Sequence, residues 1–211
     1  MLISLENIVP SPIPQSHLES SEIWNSTLTF ESKSSILISA DSGKGKSTLL
    51  HLIYGLRKDY SGNLFINSGN AGELGFQQWE NLRRESLSMV FQDLRLFSQL
   101  SARENIELIP QFNPNSPSIS EMSERLGMID FLEQPALTLS HGQRQRIALM
   151  RALRKPFKWL LLDEPFSHLD KNNQELACDL IKEVTEYNEA GIILSSLGAT
   201  PSIMFEKNFI L

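Results

Sequence analysis

The sequence is poor in cysteine and has no long apolar run. Cys178 is the single cysteine among 211 residues, so no disulfide can form within the chain, and the composition fits a reducing compartment. The apolar run at 159–162 has the length of a strand, far below the roughly 20 residues that cross a membrane. The net charge is −6, with 19 basic and 25 acidic residues. This balance does not favour contact with nucleic acid phosphates, so no nucleic acid partner is expected.

The pattern of apolar residues along the chain is typical of an α/β protein with a parallel sheet, because short apolar segments alternate with longer amphipathic ones. A length of 211 residues suits one domain. Strands are predicted at 2–9, 27–38 (with a buried run at 35–39), 63–66, 87–91, 159–163 and 192–194. Helices are predicted at 48–55, 79–86, 143–154 and 171–188. Residues 93–137 differ in character, since polar helical segments surround a loop at 110–117, and they predict an inserted helical subdomain.

Residues 40–48 read Ala-Asp-Ser-Gly-Lys-Gly-Lys-Ser-Thr and lie between a predicted strand and a predicted helix. This context is typical of a phosphate-binding loop, whose backbone N–H groups and helix N-terminus face an anion. Lys46 would reach the β- and γ-phosphates, and Ser47 would bind Mg²⁺. The expected nucleotide contacts are Asp41, Ser42, Gly43, Lys44, Gly45, Lys46, Ser47 and Thr48.

Ala40 departs from the strict form of this motif, which has glycine at that position. If the position required a left-handed backbone, alanine would cost about 1 kcal/mol. Taken alone, the loop is also compatible with an ordinary turn rich in glycine and serine.

An apolar strand at 159–162 ends in Asp163 and Glu164. A buried parallel strand delivers its last side chains to the edge of the sheet where ligands bind. Asp163 would hold Mg²⁺ through water, and Glu164 would act as the general base for an attacking water. The alternative is a strand followed by an acidic helix cap.

A third motif, Leu-Ser-His-Gly-Gln at 139–143, stands 23 residues before Asp163, counted from Ser140. It resembles the signature of the ATP-binding cassette (ABC) family. Gln92 resembles the glutamine of that family's Q-loop, and residues 167–170 resemble its D-loop. Five motifs in the family's order extend from Ala40 to Asp170. Alone, Gln92 is compatible with a solvated loop residue and Ser140 with a helix N-cap.

The resemblance implies a P-loop NTPase core with a mostly parallel sheet, a small antiparallel β subdomain and a helical subdomain. The nucleotide-binding core with the β subdomain is expected at 1–92 and 138–211, and the helical subdomain at 93–137. The chain would bind and hydrolyse ATP with Mg²⁺. Glu164, Gln92 and Lys46 are the implied catalytic residues, and Ser47, Gln92 and Asp163 the implied metal residues.

The family also implies the partners. Two cassettes, identical or different, would pair head to tail, so that Ser140, Gly142 and Gln143 contact the ATP held by the other subunit. The segment from Leu94 to Ile109 is the candidate contact with an integral membrane permease. The chain would then be cytoplasmic and peripheral, at the inner face of the membrane.

Two departures from the family pattern concern activity. Leu197 stands at the expected position of the switch histidine, and no histidine follows His168. Slow basal hydrolysis is therefore expected, with Ser195 or Ser196 as a poor substitute. Residues 6–22 contain no Phe, Tyr or Trp to stack on adenine, so Pro12, Pro14 or His17 would supply a weaker contact with the base. This predicts weak discrimination between ATP and GTP. Trp24 is expected in the core.

Alternative functions remain open at this point. An ABC-type ATPase that is not a pump could act in cell division, cluster assembly or DNA repair. The chain has neither the coiled-coil heptads of the repair proteins nor the second cassette of the translation factors. A nucleotide sensor with little turnover is the third possibility, favoured by the missing histidine and disfavoured by Lys46, Asp163 and Glu164.

Overall fold

A computed structural model describes residues 1–197 and 202–211, which form nine strands and seven α-helices. In chain order these are β1 (Ile3–Pro10), α1 (Gln15–Ser20), β2 (Thr27–Phe30), β3 (Ser35–Ser39), α2 (Lys46–Ile53), β4 (Tyr60–Ile66), β5 (Gly69–Asn70), α3 (Phe76–Glu85), β6 (Leu87–Val90), α4 (Ala102–Glu107), α5 (Ile119–Arg125), α6 (His141–Leu153), β7 (Trp159–Asp163), α7 (Lys171–Asn188), β8 (Gly191–Ser196) and β9 (Lys207–Ile210).

Two sheets carry the fold. Five parallel strands form one sheet in the order β6-β7-β8-β3-β9, and four antiparallel strands form the other in the order β2-β1-β4-β5. The predicted fold class, an α/β core with a mostly parallel sheet, a small antiparallel unit and inserted helices, is confirmed.

The parallel sheet is covered on both faces, which explains its uninterrupted apolar strands. Every residue of β7 is buried. Leu160 and Leu162 belong to one hydrophobic cluster, and Trp159 and Leu161 belong to the other. Alternate residues of a strand point to opposite faces, so each cluster lies on its own side of the sheet.

Helices α4 and α5 lie within 93–137, and α4 packs against α6. Both begin with a capping box, from Ser101 and Glu104 in α4 and from Ser118 and Glu121 in α5. These reciprocal bonds satisfy backbone N–H groups that a helix start leaves unpaired, so helices of only six and seven residues have defined first turns. In residues 1–197 and 202–211 no helix has the length and apolarity needed to cross a membrane.

Some predicted element bounds were wrong. The segment 27–38 is two strands, because the chain turns at 31–34 with Lys33 at a φ of 71°. The short helix α1 lies between the first two predicted strands, in a region where no helix was predicted. Strand β9 was missed, because its exposed, partly polar residues on the sheet edge show no apolar alternation.

The strand ends define the location of the site. In the sheet, Asp163 of β7 pairs with Ser195 of β8, and Ser39 of β3 pairs with Ser196. The carboxyl ends of β3, β7 and β8 therefore meet at one edge, where parallel sheets bind ligands.

Candidate functional site

The loop between β3 and α2 has the backbone that its glycines allow. Gly43 and Gly45 have φ values of 81° and 104°, which favour glycine. A Cβ on Gly45 would lie 3.2 Å from the ring of Trp24, which is buried beneath the loop. Ala40 is not among the residues with positive φ, so the alanine in place of the motif's glycine carries no such strain.

Lys46 lies inside this loop. Its ammonium donates to the carbonyl oxygens of Ala40, at 2.7 Å, and Asp41, at 3.1 Å. Its nitrogen lies 3.4 Å from a carboxylate oxygen of Glu164. The Lys46 side chain is 4% exposed and that of Glu164 10%. The structure thus brings together two predicted catalytic residues that are 118 positions apart.

The predicted metal residues also meet. Ser47, Gln92 and Asp163 line a cavity of about 320 Å³, and the Ser47 hydroxyl donates to the Gln92 side-chain oxygen at 3.4 Å. Asp163 is 1% exposed. Its Oδ1 accepts from the Ser195 hydroxyl at 2.7 Å, whereas its Oδ2 is buried with no hydrogen-bond partner among the described residues.

This donor set fits Mg²⁺, which prefers oxygen ligands and binds through few carboxylates. A buried carboxylate oxygen without a partner is costly unless a ligand or water completes it. His51 lines the same cavity, and burial lowers its pKa despite the opposing Asp163 carboxylate. The lowered pKa favours the neutral imidazole beside the metal residues.

Glu164 has a left-handed backbone, with a φ of 49°. Its N–H lies 3.2 Å from Ser195 Oγ and 3.3 Å from the Ser195 carbonyl oxygen. Leu197 is 55% exposed and lines, with Glu164 and Ser195, a second cavity of about 360 Å³. The hydroxyl of Ser195 is buried and donates to Asp163 Oδ1, and its expected role as a poor substitute for the histidine stays a prediction.

The signature segment forms the start of α6. Ser140 is the N-cap, its oxygen accepts from the Gln143 N–H at 3.2 Å, and the Gln143 side chain accepts from the Ser140 N–H at 2.8 Å. Gly142 is required by packing, because a Cβ there would lie 2.8 Å from the carbonyl oxygen of His168. Among the described residues, no hydrogen bond or ion pair joins these three residues to the loop 41–48.

Two histidines connect the signature segment to the loop after Glu164. The rings of His141 and His168 stack with centroids 3.8 Å apart. Gln145 donates to the Glu164 carbonyl oxygen at 3.0 Å and accepts from the His168 N–H at 3.2 Å. Burial, then repulsion from His168 and Arg144, lowers the pKa of His141. The positions of His141 and His168 in the sequence do not predict that their rings stack.

Arg57 is a further residue that the sequence did not reveal. Its guanidinium donates to the Thr48 hydroxyl at 3.1 Å and to the Ser11 carbonyl oxygen at 3.0 Å, and it pairs with Asp59. This contact holds the pKa of Asp59 at about 2. Arg57 thereby joins α2 to the segment at Ser11. Trp24 is 2% exposed, which confirms its predicted place in the core.

Comparisons with known proteins agree with this geometry. A family model described as "ABC transporter" matches residues 23–167. The thiamine import ATP-binding protein ThiQ of Vibrio cholerae is 34% identical over 164 residues, which cover 75% of this chain and 66% of that protein. The lipoprotein-releasing system ATP-binding protein LolD of Buchnera aphidicola is 34% identical over 75% of this chain and 72% of its own length.

Solved structures give the same result. The dimeric structure of MJ0796, a bacterial ABC transporter cassette, superposes with a TM-score of 0.76 at 28% identity, over 92% of this chain and 88% of that one. A second structure of MJ0796, in a post-hydrolysis state bound to ADP and Pi, superposes with a TM-score of 0.75.

Proposed function

This chain belongs to the ABC transporter family, and we propose that it uses the pocket around Lys46, Asp163 and Glu164 to bind and hydrolyse ATP as the ATP-binding subunit of a transporter. ATP is the substrate, and Mg²⁺ is the cofactor. A second cassette and a membrane permease are its partners.

The phosphate loop supplies the binding energy for the triphosphate. Backbone N–H groups of residues 41–48 and the start of α2 face the phosphates, and the positive end of the helix favours their charge. Lys46 adds a buried ammonium that is held by two loop carbonyls, so little side-chain freedom is lost when it meets the β- and γ-phosphates.

Ser47, Gln92 and Asp163 would hold Mg²⁺, with Asp163 contributing its unpartnered Oδ2. When bound, the ion neutralises charge that develops on the phosphate oxygens. Gln92 follows β6 by two residues and directly precedes the segment 93–137. We propose that this segment is the helical subdomain and that Gln92 reports the occupancy of the metal site to it.

Glu164 accepts the proton from the water that attacks the γ-phosphorus, while the bond to the ADP oxygen breaks. Its carboxylate is available for this step once the γ-phosphate takes its place beside Lys46. Leu197 leaves the carboxylate without the histidine that the family uses beside it, so turnover is slow until a partner completes the site.

Ser140, Gly142 and Gln143 act on the nucleotide of the second cassette. Among the described residues they form no hydrogen bond or ion pair with their own phosphate loop, and Ser140 is exposed. Head-to-tail pairing gives each ATP a phosphate loop from one subunit and a helix start from the other, with the same electrostatic preference at both.

The permease docks beside Gln92. A groove of about 420 Å³ runs from the core to the end of α4 and combines apolar and basic side chains, among them Arg83, Arg84, Phe91, Leu108, Ile109 and Lys155. Leu108 and Ile109 fall within the candidate contact 94–109. Docking at this groove would place the chain peripherally at the inner face of a membrane.

A nucleotide-dependent regulator with very slow turnover is the second candidate, and Leu197 is the observation that favours it. Turnover that rises when the permease is present supports the transporter function. A rate that is negligible with and without it supports the regulator.

The Lys46–Glu164 pair beside the Mg²⁺ residues is the observation that carries the proposal. Calorimetry with Mg·ATP tests it: the wild type should bind, and Lys46→Ala should bind about 10-fold or more weakly, since charge-assisted hydrogen bonds to phosphate are lost. Lys33→Ala, which removes an exposed cation, is the control. Equal affinities of all three proteins would overturn the site.

A further inference from the structure

Ser195 is a buried polar residue near the end of strand β8, where it follows an apolar run. Its side chain is fully buried, and it follows Ile192, Ile193 and Leu194. A hydroxyl in such a place is tolerated when its hydrogen-bonding capacity is used. Here both parts of the hydroxyl have partners, and both partners belong to the proposed active site.

The first partner is Asp163. Parallel pairing places Ser195 directly beside Asp163 in the neighbouring strand, and the Ser195 hydroxyl donates to Asp163 Oδ1 at 2.7 Å. Because Oδ1 is taken, Oδ2 is the carboxylate oxygen that is left without a partner among the described residues. The bond thus determines which oxygen of Asp163 is available to a metal ion.

The second partner is the backbone of Glu164. Its N–H approaches Ser195 Oγ at 3.2 Å, so the same oxygen accepts one hydrogen bond and donates another. This contact acts on a residue with a φ of 49°, a conformation that is unusual outside glycine. One hydroxyl therefore joins the metal residue and the general base.

We infer that Ser195 is a positioning residue for ATP hydrolysis: it aims Asp163 Oδ2 at Mg²⁺ and holds the backbone that presents the Glu164 carboxylate. Its side chain is fully buried, so it acts through Asp163 and Glu164. The inference rests on the proposed function, because it assigns Ser195 a role toward the same metal site.

The main test is the Mg²⁺ dependence of nucleotide binding, which does not depend on turnover. ATP affinity is measured by calorimetry across a Mg²⁺ series, with Glu164→Gln in the background so that ATP persists. Ser195→Ala should raise the half-saturating Mg²⁺ concentration about 10-fold or more, as expected for the loss of a residue that orients a metal ligand. ATP binding without Mg²⁺ should stay unchanged.

Matched variants separate positioning from folding. Ser88→Ala removes another buried strand serine, whose hydroxyl donates to the Ala152 carbonyl oxygen at the same 2.7 Å but contacts no site residue. It should leave the Mg²⁺ series unchanged. Ser195→Thr keeps the hydroxyl and should show the half-saturating Mg²⁺ concentration of the protein with Ser195. If Ser195→Ala does not fold, Ser195→Cys fills the space with a weaker donor and should shift the series in the same direction.

Asp163→Asn distinguishes failure of the role inferred for Ser195 from failure of the proposed metal site. If Asp163→Asn abolishes the Mg²⁺ dependence and folded Ser195 variants keep wild-type values, the role of Ser195 is overturned while the metal site stands. If Asp163→Asn also behaves as wild type, the metal site itself is overturned.

Discussion

The ammonium nitrogen of Lys46 lies 3.4 Å from a carboxylate oxygen of Glu164, and both side chains are almost fully buried. This pair joins the loop after β3 to the end of β7. Two predicted catalytic side chains are therefore in direct contact. We expect a γ-phosphate at Lys46 to compete with Glu164, so that binding of the nucleotide would free the predicted base.

Replacement of that carboxylate separates binding from chemistry. Glu164→Gln should slow ATP hydrolysis about 100-fold or more, because the general base is lost. ATP affinity should be retained or increased, since repulsion between the carboxylate and the γ-phosphate is removed. Phosphate release measures the rate of ATP hydrolysis, and light scattering in the presence of ATP measures dimerisation of the cassette. Glu189→Gln, in an exposed pair with Lys33, is the control; wild-type turnover in Glu164→Gln would contradict the assignment.

We expect Leu197 to limit the rate of ATP hydrolysis. Leu197→His places an imidazole in the cavity beside Glu164 and should raise kcat about 10-fold or more, in keeping with the usual contribution of a positioned proton acceptor. Leu197→Phe adds a ring without a proton acceptor and should not raise it. Equal kcat values for the wild type and Leu197→His would show that the missing histidine does not limit turnover.

Weak discrimination between bases follows from the missing aromatic platform. ATP and GTP should bind within about 10-fold of each other, because stacking on an aromatic residue, worth about 1–3 kcal/mol, is absent. The exposed Pro12 lies next to the Ser11 carbonyl that Arg57 contacts. Pro12→Tyr should tighten ATP binding about 5-fold or more, and Ser20→Tyr should not. A strong ATP preference in the wild type, measured by calorimetry, would argue against this prediction.

The stacked histidines should make stability depend on pH. The pKa of folded His141 lies below its ordinary value of 6.5. Between those two values the unfolded chain binds more protons than the folded one, so stability falls as the pH drops through 6.5. The Tm of the wild type should decrease more between pH 7.5 and 5.5 than that of His141→Gln. His17→Gln is the control; parallel Tm curves for His141→Gln and wild type would exclude the effect.

Much of the fold could be predicted because its signals are local. Strand β7 is a continuous apolar run that ends in carboxylates, and α7 has helical periodicity over its full length at 171–188. The resemblance to the ABC family and the fold class are confirmed. Roles of individual site residues stay predictions, although the structure brings Lys46, Ser47, Gln92, Asp163 and Glu164 to one sheet edge.

Contacts that depend on tertiary packing could not be predicted. The sequence gives Ser195 no partner, because Asp163 lies 32 residues away and reaches it only through the register of two parallel strands. The Arg57–Thr48 contact depends on how the chain returns after α2. The stack of His141 on His168 requires α6 to pack on the loop after Glu164.

The cap at the start of α6 has a consequence for assembly. Ser140 uses only a lone pair of its oxygen to receive the Gln143 N–H, so its O–H hydrogen remains available. The same atom can thus hold its own helix start and, at the same moment, bond to an anion brought by another molecule. If a second cassette brings its nucleotide to Ser140, as we propose, no local unwinding of α6 is required.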